Sequence, residues 1–104
     1  MKPFTPVDDA TASFTATISG ADRAAIKQQP TGAHQLRLYN AGTNTIFWAA
    51  GGAAVTAALT DMPLPGGAIE VVTLANSAAA PLSHVAAVTQ TGTAVLYATT
   101  GEGF

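Results

Sequence analysis

The sequence predicts an all-β fold: a compact antiparallel β-sandwich or jelly roll of about six or seven short strands. Three observations point to it. Short runs alternate apolar and polar residues with the two-residue period of a strand. Turn signals built from Gly, Pro, Asn, Asp and Ser recur about every 8–12 residues. One segment, 45–50 (TIFWAA), is apolar on both faces, as a strand covered on two sides would be.

The chain has 104 residues, the size of one domain, and is read as a single β domain over 11–104 preceded by an extended arm over 1–10. The arm holds Pro3, Pro6 and the Asp8-Asp9 pair and shows little periodicity. Residues 11–18 (TASFTATI) alternate cleanly, with Ala12, Phe14, Ala16 and Ile18 on one face and Thr11, Ser13, Thr15 and Thr17 on the other. Ser19-Gly20 turns the chain. Residues 21–27 fit a strand better than a helical turn, because Gly20 and Pro30 leave little room for a helix.

Residues 36–51 (LRLYNAGTNTIFWAAG) carry the heaviest apolar payload and read as a β-hairpin. Two apolar runs flank the loop Asn40-Ala41-Gly42-Thr43-Asn44, whose residues tolerate positive φ or bond their own backbone. Ile46 and Trp48 are expected in the core, with Phe47 and Tyr39 at or near an interface. Residues 53–60 (AAVTAALT) suit a short helix or a strand equally. Asp61 to Gly67 is a proline-glycine turn in which Asp61 bonds the backbone. Residues 68–74 form a strand with Ile69, Val71 and Thr73 on one face and Glu70, Val72 and Leu74 on the other. Residues 83–89 and 93–100 read as a terminal hairpin around Gln90-Thr91-Gly92, with Gly92 where a left-handed residue is needed. Gly101 to Phe104 is a flexible tail or an extended cap.

Composition narrows the function. Charged residues make up 10% of the chain, well below about 25% in an average soluble domain, so part of the surface is expected to be covered by other subunits. The net charge is −2, and Arg23, Lys27 and Arg37 are too scattered to neutralise phosphates, which argues against nucleic acid. There is no Cys. The uncharged run 38–60 contains Asn40, Asn44 and several Gly and Thr, which is turn chemistry and not a membrane span. The first residues lack the apolar stretch of a secretory signal.

No reaction is visible in the residues. His34 and His84 sit at strand starts, and adjacent Ser83 and His84 are expected on opposite faces of a strand, unable to meet. No carboxylate set has the spacing of a metal site and no Gly-rich loop has that of a phosphate site, so neither metal nor cofactor is expected. Tyr39, Phe47, Trp48 and Tyr97 are candidates for an aromatic platform that a sugar would use.

Four stretches together, 36–51, DMPLPGGAIEVVTL (61–74), HVAAV (84–88) and GTAVLYATTGEGF (92–104), resemble a group of small tailed-bacteriophage virion structural proteins. The resemblance covers roughly 34–104, and Trp48-Ala49-Ala50 departs from it where a smaller β-branched residue is expected. It implies a non-enzymatic capsid decoration (cement) protein, made in the host cytoplasm and carried on the virion. Its implied partners are the major capsid protein or other virion proteins and copies of itself, as a dimer or trimer, with no nucleic acid and no membrane. A neck, tail or head-fibre-base component, or a carbohydrate-binding module, is the alternative. Tyr39, Phe47, Arg37, Glu70 and Phe104 are the expected interface residues.

Overall fold

Alternating sequence makes the strands, and the corners between them decide which sheet each one joins. The computed structural model describes residues 5–26, 34–74 and 83–102, with side chains described over 11–26, 35–72 and 83–101. These residues form eight strands: β1 (Thr5–Ala16), β2 (Asp22–Ala25), β3 (His34–Asn40), β4 (Ile46–Gly51), β5 (Met62–Leu64), β6 (Ile69–Leu74), β7 (His84–Thr89) and β8 (Ala94–Glu102). The expected count of six or seven falls short by β5, which the sequence reading gave to a turn. Pro63 has no N–H to offer a ladder, but β5 is an edge strand, where that costs nothing. Residues 5–10, expected as an arm, are the first part of β1, with Thr5 opposite Glu102 and Pro6 opposite Gly101.

Two four-stranded antiparallel sheets result, ordered β1-β8-β3-β6 and β2-β7-β4-β5. The pairs β1–β8, β2–β7, β3–β6 and β4–β5 nest like the two arms of one long ribbon. Rolling that ribbon adds the pairs β3–β8 and β4–β7. This nested order is that of a jelly roll.

Both hairpins expected from the sequence are therefore corners between sheets. β3 and β4 lie in different sheets, and so do β7 and β8. At the first corner Asn40 is fully buried and its amide replaces the missing ladder bonds. Its Nδ2 donates to the carbonyls of Asn44 (2.8 Å) and Leu64 (2.9 Å), and its Oδ1 accepts from the Gly42 N–H (3.0 Å). The approach is close: a Cβ on Gly42 would lie 2.7 Å from the Ala94 Cβ, and one on Gly66 2.7 Å from the Thr43 carbonyl oxygen. At the second corner Gly92 has φ +68° as expected, and the Thr89 hydroxyl donates to its carbonyl at 2.6 Å.

The core lies between the sheets. Leu36, Leu38, Leu96 and Ala98 from the first sheet meet Ile46, Trp48, Val85 and Ala87 from the second, with Leu64 closing the β5 side. Ile46 and Trp48 thus take their expected places. The outer face of β4 is covered from an unforeseen source. Residues 52–61, neither helix nor strand, cross the second sheet and set Val55 and Ala57 against Phe47, Ala49, Ala86 and Val88. The Ala57 N–H donates to the Gly20 carbonyl (2.9 Å), and Arg23 Nη1 reaches the Val55 carbonyl (3.3 Å). Asp61 holds the end of this segment, accepting from the Ala58 N–H at 2.7 Å, so it bonds backbone before it and not that of the expected 61–67 turn.

The β1–β2 turn is tied by Asp22, whose Oδ2 accepts from the Thr17 hydroxyl, the Thr17 N–H (3.1 Å) and the Ser19 hydroxyl (3.2 Å). The Thr17 hydroxyl is the largest influence holding the Asp22 carboxyl below its usual 3.8. A depressed carboxylate stabilises the fold above its unfolded value and stops doing so as pH falls through its folded value. Asp22→Asn is expected to cost about 1 kcal/mol near neutrality. Urea titrations at a series of pH values should show that deficit shrinking as pH falls below about 4.

Candidate functional site

A set of described side chains without a cover lies on the outer face of the first sheet. Directly paired residues share a face, so the register lines up two rows across it. One row runs Ser13, Tyr97, Tyr39, Ile69; the next runs Thr11, Thr99, Arg37, Val71. Tyr39 and Tyr97 stack, with ring centroids 6.1 Å apart and planes at 25°. The Thr11 and Thr99 hydroxyls bond each other at 2.8 Å. Thr11, Arg37, Tyr39, Ala41, Tyr97 and Thr99 line a shallow, open hollow of about 340 Å³.

Three large apolar side chains on this face stand in solvent: Ile69 at 54%, Val71 at 44% and Tyr97 at 40% exposure. They flank Arg37, the face's single charged side chain among those described. Arg37 has no hydrogen-bond or ion-pair partner among the described residues. The second sheet differs, because residues 52–61 already cover much of its outer face.

The expected interface residues separate accordingly. Arg37 and Tyr39 come together on the open face. Glu70 stands opposite Leu38, so it faces inward on the edge strand β6 and is half-buried. Arg37 stands opposite Val71, on the other side of that sheet, so the two charges do not pair within the chain. A charge pointing inward on an edge strand is one way sheets avoid pairing with other chains. Phe47 lies on the second sheet, half-buried beside Val55 and Ala57. Phe104 lies outside the described residues.

Of the four aromatics considered for a platform, the tyrosines meet, whereas Phe47 and Trp48 belong to the other sheet. Tyr97, Ile69, Val71 and Thr99 join the face through register alone. Alternation placed Ile69 opposite to Glu70, but nothing in the sequence indicated that β6 and β8 flank β3.

Ser83 and His84 correct a second expectation, since Ser83 Oγ and His84 Nδ1 are hydrogen-bonded at 2.8 Å. Ser83 precedes β7, so the strict alternation that would separate neighbours does not yet apply. The Ser83 N–H donates to Gly51 and its carbonyl accepts from Ile26, which fixes the pair at the strand entry. The side chain of His34 lies outside the described ones. Among the described residues no three His, Cys, Asp or Glu gather as a metal site would need, and no helix is long and apolar enough to cross a membrane.

Compared with protein-family models and with curated proteins, the sequence matches none of them.

Proposed function

We propose that this chain is a non-enzymatic virion structural protein of the capsid-decoration type, attaching to capsid or other virion proteins through the outer face of its first sheet. The observation that carries the reading is the exposed group Tyr97, Ile69 and Val71 beside the hollow, on a face whose one charge among the described side chains is Arg37. Contiguous exposed apolar side chains on a small domain mark a contact surface. The jelly-roll order adds support by analogy, since capsid and lectin domains both use it. So does the sequence resemblance over 34–104.

Density for this chain spread over the shell in electron cryomicroscopy of the virion is the expected result. Density confined to the neck or tail would move the protein to that position, and none on the particle would end the proposal. Val71→Asp gives a solution test. The side chain is exposed on an edge strand, so stability should stay within about 1 kcal/mol of the native chain. Co-sedimentation with capsids lacking the protein should weaken at least ~10-fold. Unchanged binding would move attachment off this face.

The stacked tyrosines beside the Thr11 and Thr99 hydroxyls favour a second reading, carbohydrate binding. A glycan array showing signal that Tyr97→Ala abolishes would establish it, and a blank array would remove it.

A further inference from the structure

The charge distribution on the open face specifies what it docks. Arg37 projects from β3, an interior strand of the first sheet, between Thr99 on one side and Val71 on the other. Among the residues with described side chains it is the face's one charge, and it has no partner. Covering the hollow with an apolar surface would strip water from a guanidinium and give nothing back, which is costly.

A second copy placed by a two-fold axis at the hollow fares no better. It would set Arg37 against its own equivalent, because the same patch meets itself across such an axis. None of the described carboxylates is available to separate them. Asp22 is held by Thr17 and Ser19, Asp61 by Ala58, and Glu70 faces the inner side of the sheet. Among the described side chains, a two-fold contact therefore offers Arg37 no counter-charge, and the guanidinium calls for a carboxylate from a different surface.

We propose that the hollow receives an Asp or Glu side chain of a heterologous protein partner. Its carboxylate engages the Arg37 guanidinium as a two-pronged pair, and the neighbouring apolar side chains of that partner cover Tyr97, Ile69 and Val71. Arginine suits this role because its rigid fork matches a carboxylate and its plane tolerates aromatic neighbours. The inference rests on reading this face as the attachment surface and adds the identity of the group it recognises.

Two extended peptides, TVFEFVT and TVFQFVT, capped at both ends, serve as probes in amide NMR titrations of the native chain, Arg37→Lys and Arg37→Gln. The Glu peptide should shift the amides of Tyr39, Tyr97 and Thr99 and bind at least ~5-fold more tightly than the Gln peptide. Arg37→Lys should keep part of that preference and Arg37→Gln none. Sedimentation of the native chain should show no association through this face. Equal affinity for the two peptides, binding of neither, or a dimer whose contacts map to Tyr39 and Tyr97 would overturn the inference, as would glucuronate alone reproducing the Glu-peptide shifts. Co-sedimentation with capsids separates the two levels. If Val71→Asp detaches the protein while Arg37→Gln binds like the native chain, attachment stands and the carboxylate contact falls. If the native chain binds no capsid while the peptide preference holds, the virion role falls and the recognised group stands.

Discussion

Replacing Asn40 with Leu is expected to remove about 3–5 kcal/mol of stability, the largest loss from a single substitution anticipated here. The side chain is fully buried and makes three hydrogen bonds, to the carbonyls of Asn44 and Leu64 and from the N–H of Gly42. Leucine fills the volume and makes none of them. Each buried group left unpaired costs roughly 1–3 kcal/mol, and the corner has little freedom to find substitutes. Gly66 packs so closely on the 42–43 backbone that a Cβ there would sit 2.7 Å from the Thr43 carbonyl oxygen. The Asn40 backbone is also engaged, donating to Ala68 and accepting from Gly67, so the strand cannot rotate to offer its own groups. Urea unfolding should show a lower midpoint with an unchanged slope, because the surface exposed on unfolding is the same. A loss below about 1 kcal/mol would mean that water enters the corner and satisfies those carbonyls.

Asn40 also shows why the strands are legible in the sequence and their arrangement is not. Alternation depends only on a strand having one buried face, so the strands read over 11–18, 36–39 and 68–74 are found, although β1 ends at Ala16 and leaves Ile18, expected with the inward face, 68% exposed. An Asn-Gly-rich link between two apolar runs is equally good chemistry for a hairpin within one sheet and for a corner between two. Distinguishing them requires knowing whether the Asn amide reaches its own loop alone or also a distant carbonyl. Here it reaches Leu64, 24 positions away. The β7–β8 link was misread for the same reason. β5 escaped notice because Asp-Met-Pro-Leu-Pro reads as a turn, and only an edge position accommodates Pro63.

The candidate site was legible to the extent that one strand could show it. Arg37 and Tyr39 alternate with Leu36 and Leu38, so their common outward face followed from β3 alone. Their neighbours Tyr97, Thr99, Ile69 and Val71 come from strands about 30 to 60 residues further along, and pairing register is a tertiary property. The same limit explains Glu70. Its alternation with Ile69 and Val71 was plain, but which side faced the core was set only when Leu38 came opposite it.

Phe47→Asp is expected to damage folding and leave attachment of the folded protein unchanged. The sequence suggested an interface role, since β4 is apolar on both faces and one facing sheet can cover only one of them. The cover comes from the chain's own residues 52–61, which lay Val55 and Ala57 beside Phe47, Ala49, Ala86 and Val88. Their Ala-rich composition suits a helix or a strand equally and specifies neither, and small side chains let an irregular segment lie flat on a sheet. The Ala57–Gly20 and Arg23–Val55 contacts then hold it there. Removing the ring gives up much of the 1.5–3 kcal/mol or so that burying a large apolar side chain contributes. The new carboxylate also faces an apolar cluster, so a total loss of about 2–4 kcal/mol follows. Amide exchange across 52–61 should accelerate more than exchange in β8, because the segment loses its anchor while the core between the sheets keeps its packing. Phe47 is on the second sheet and the hollow on the first, so the fraction that folds should bind capsids as tightly as the native chain. Native stability with lost binding would reverse the assignment and place the attachment surface on the second sheet.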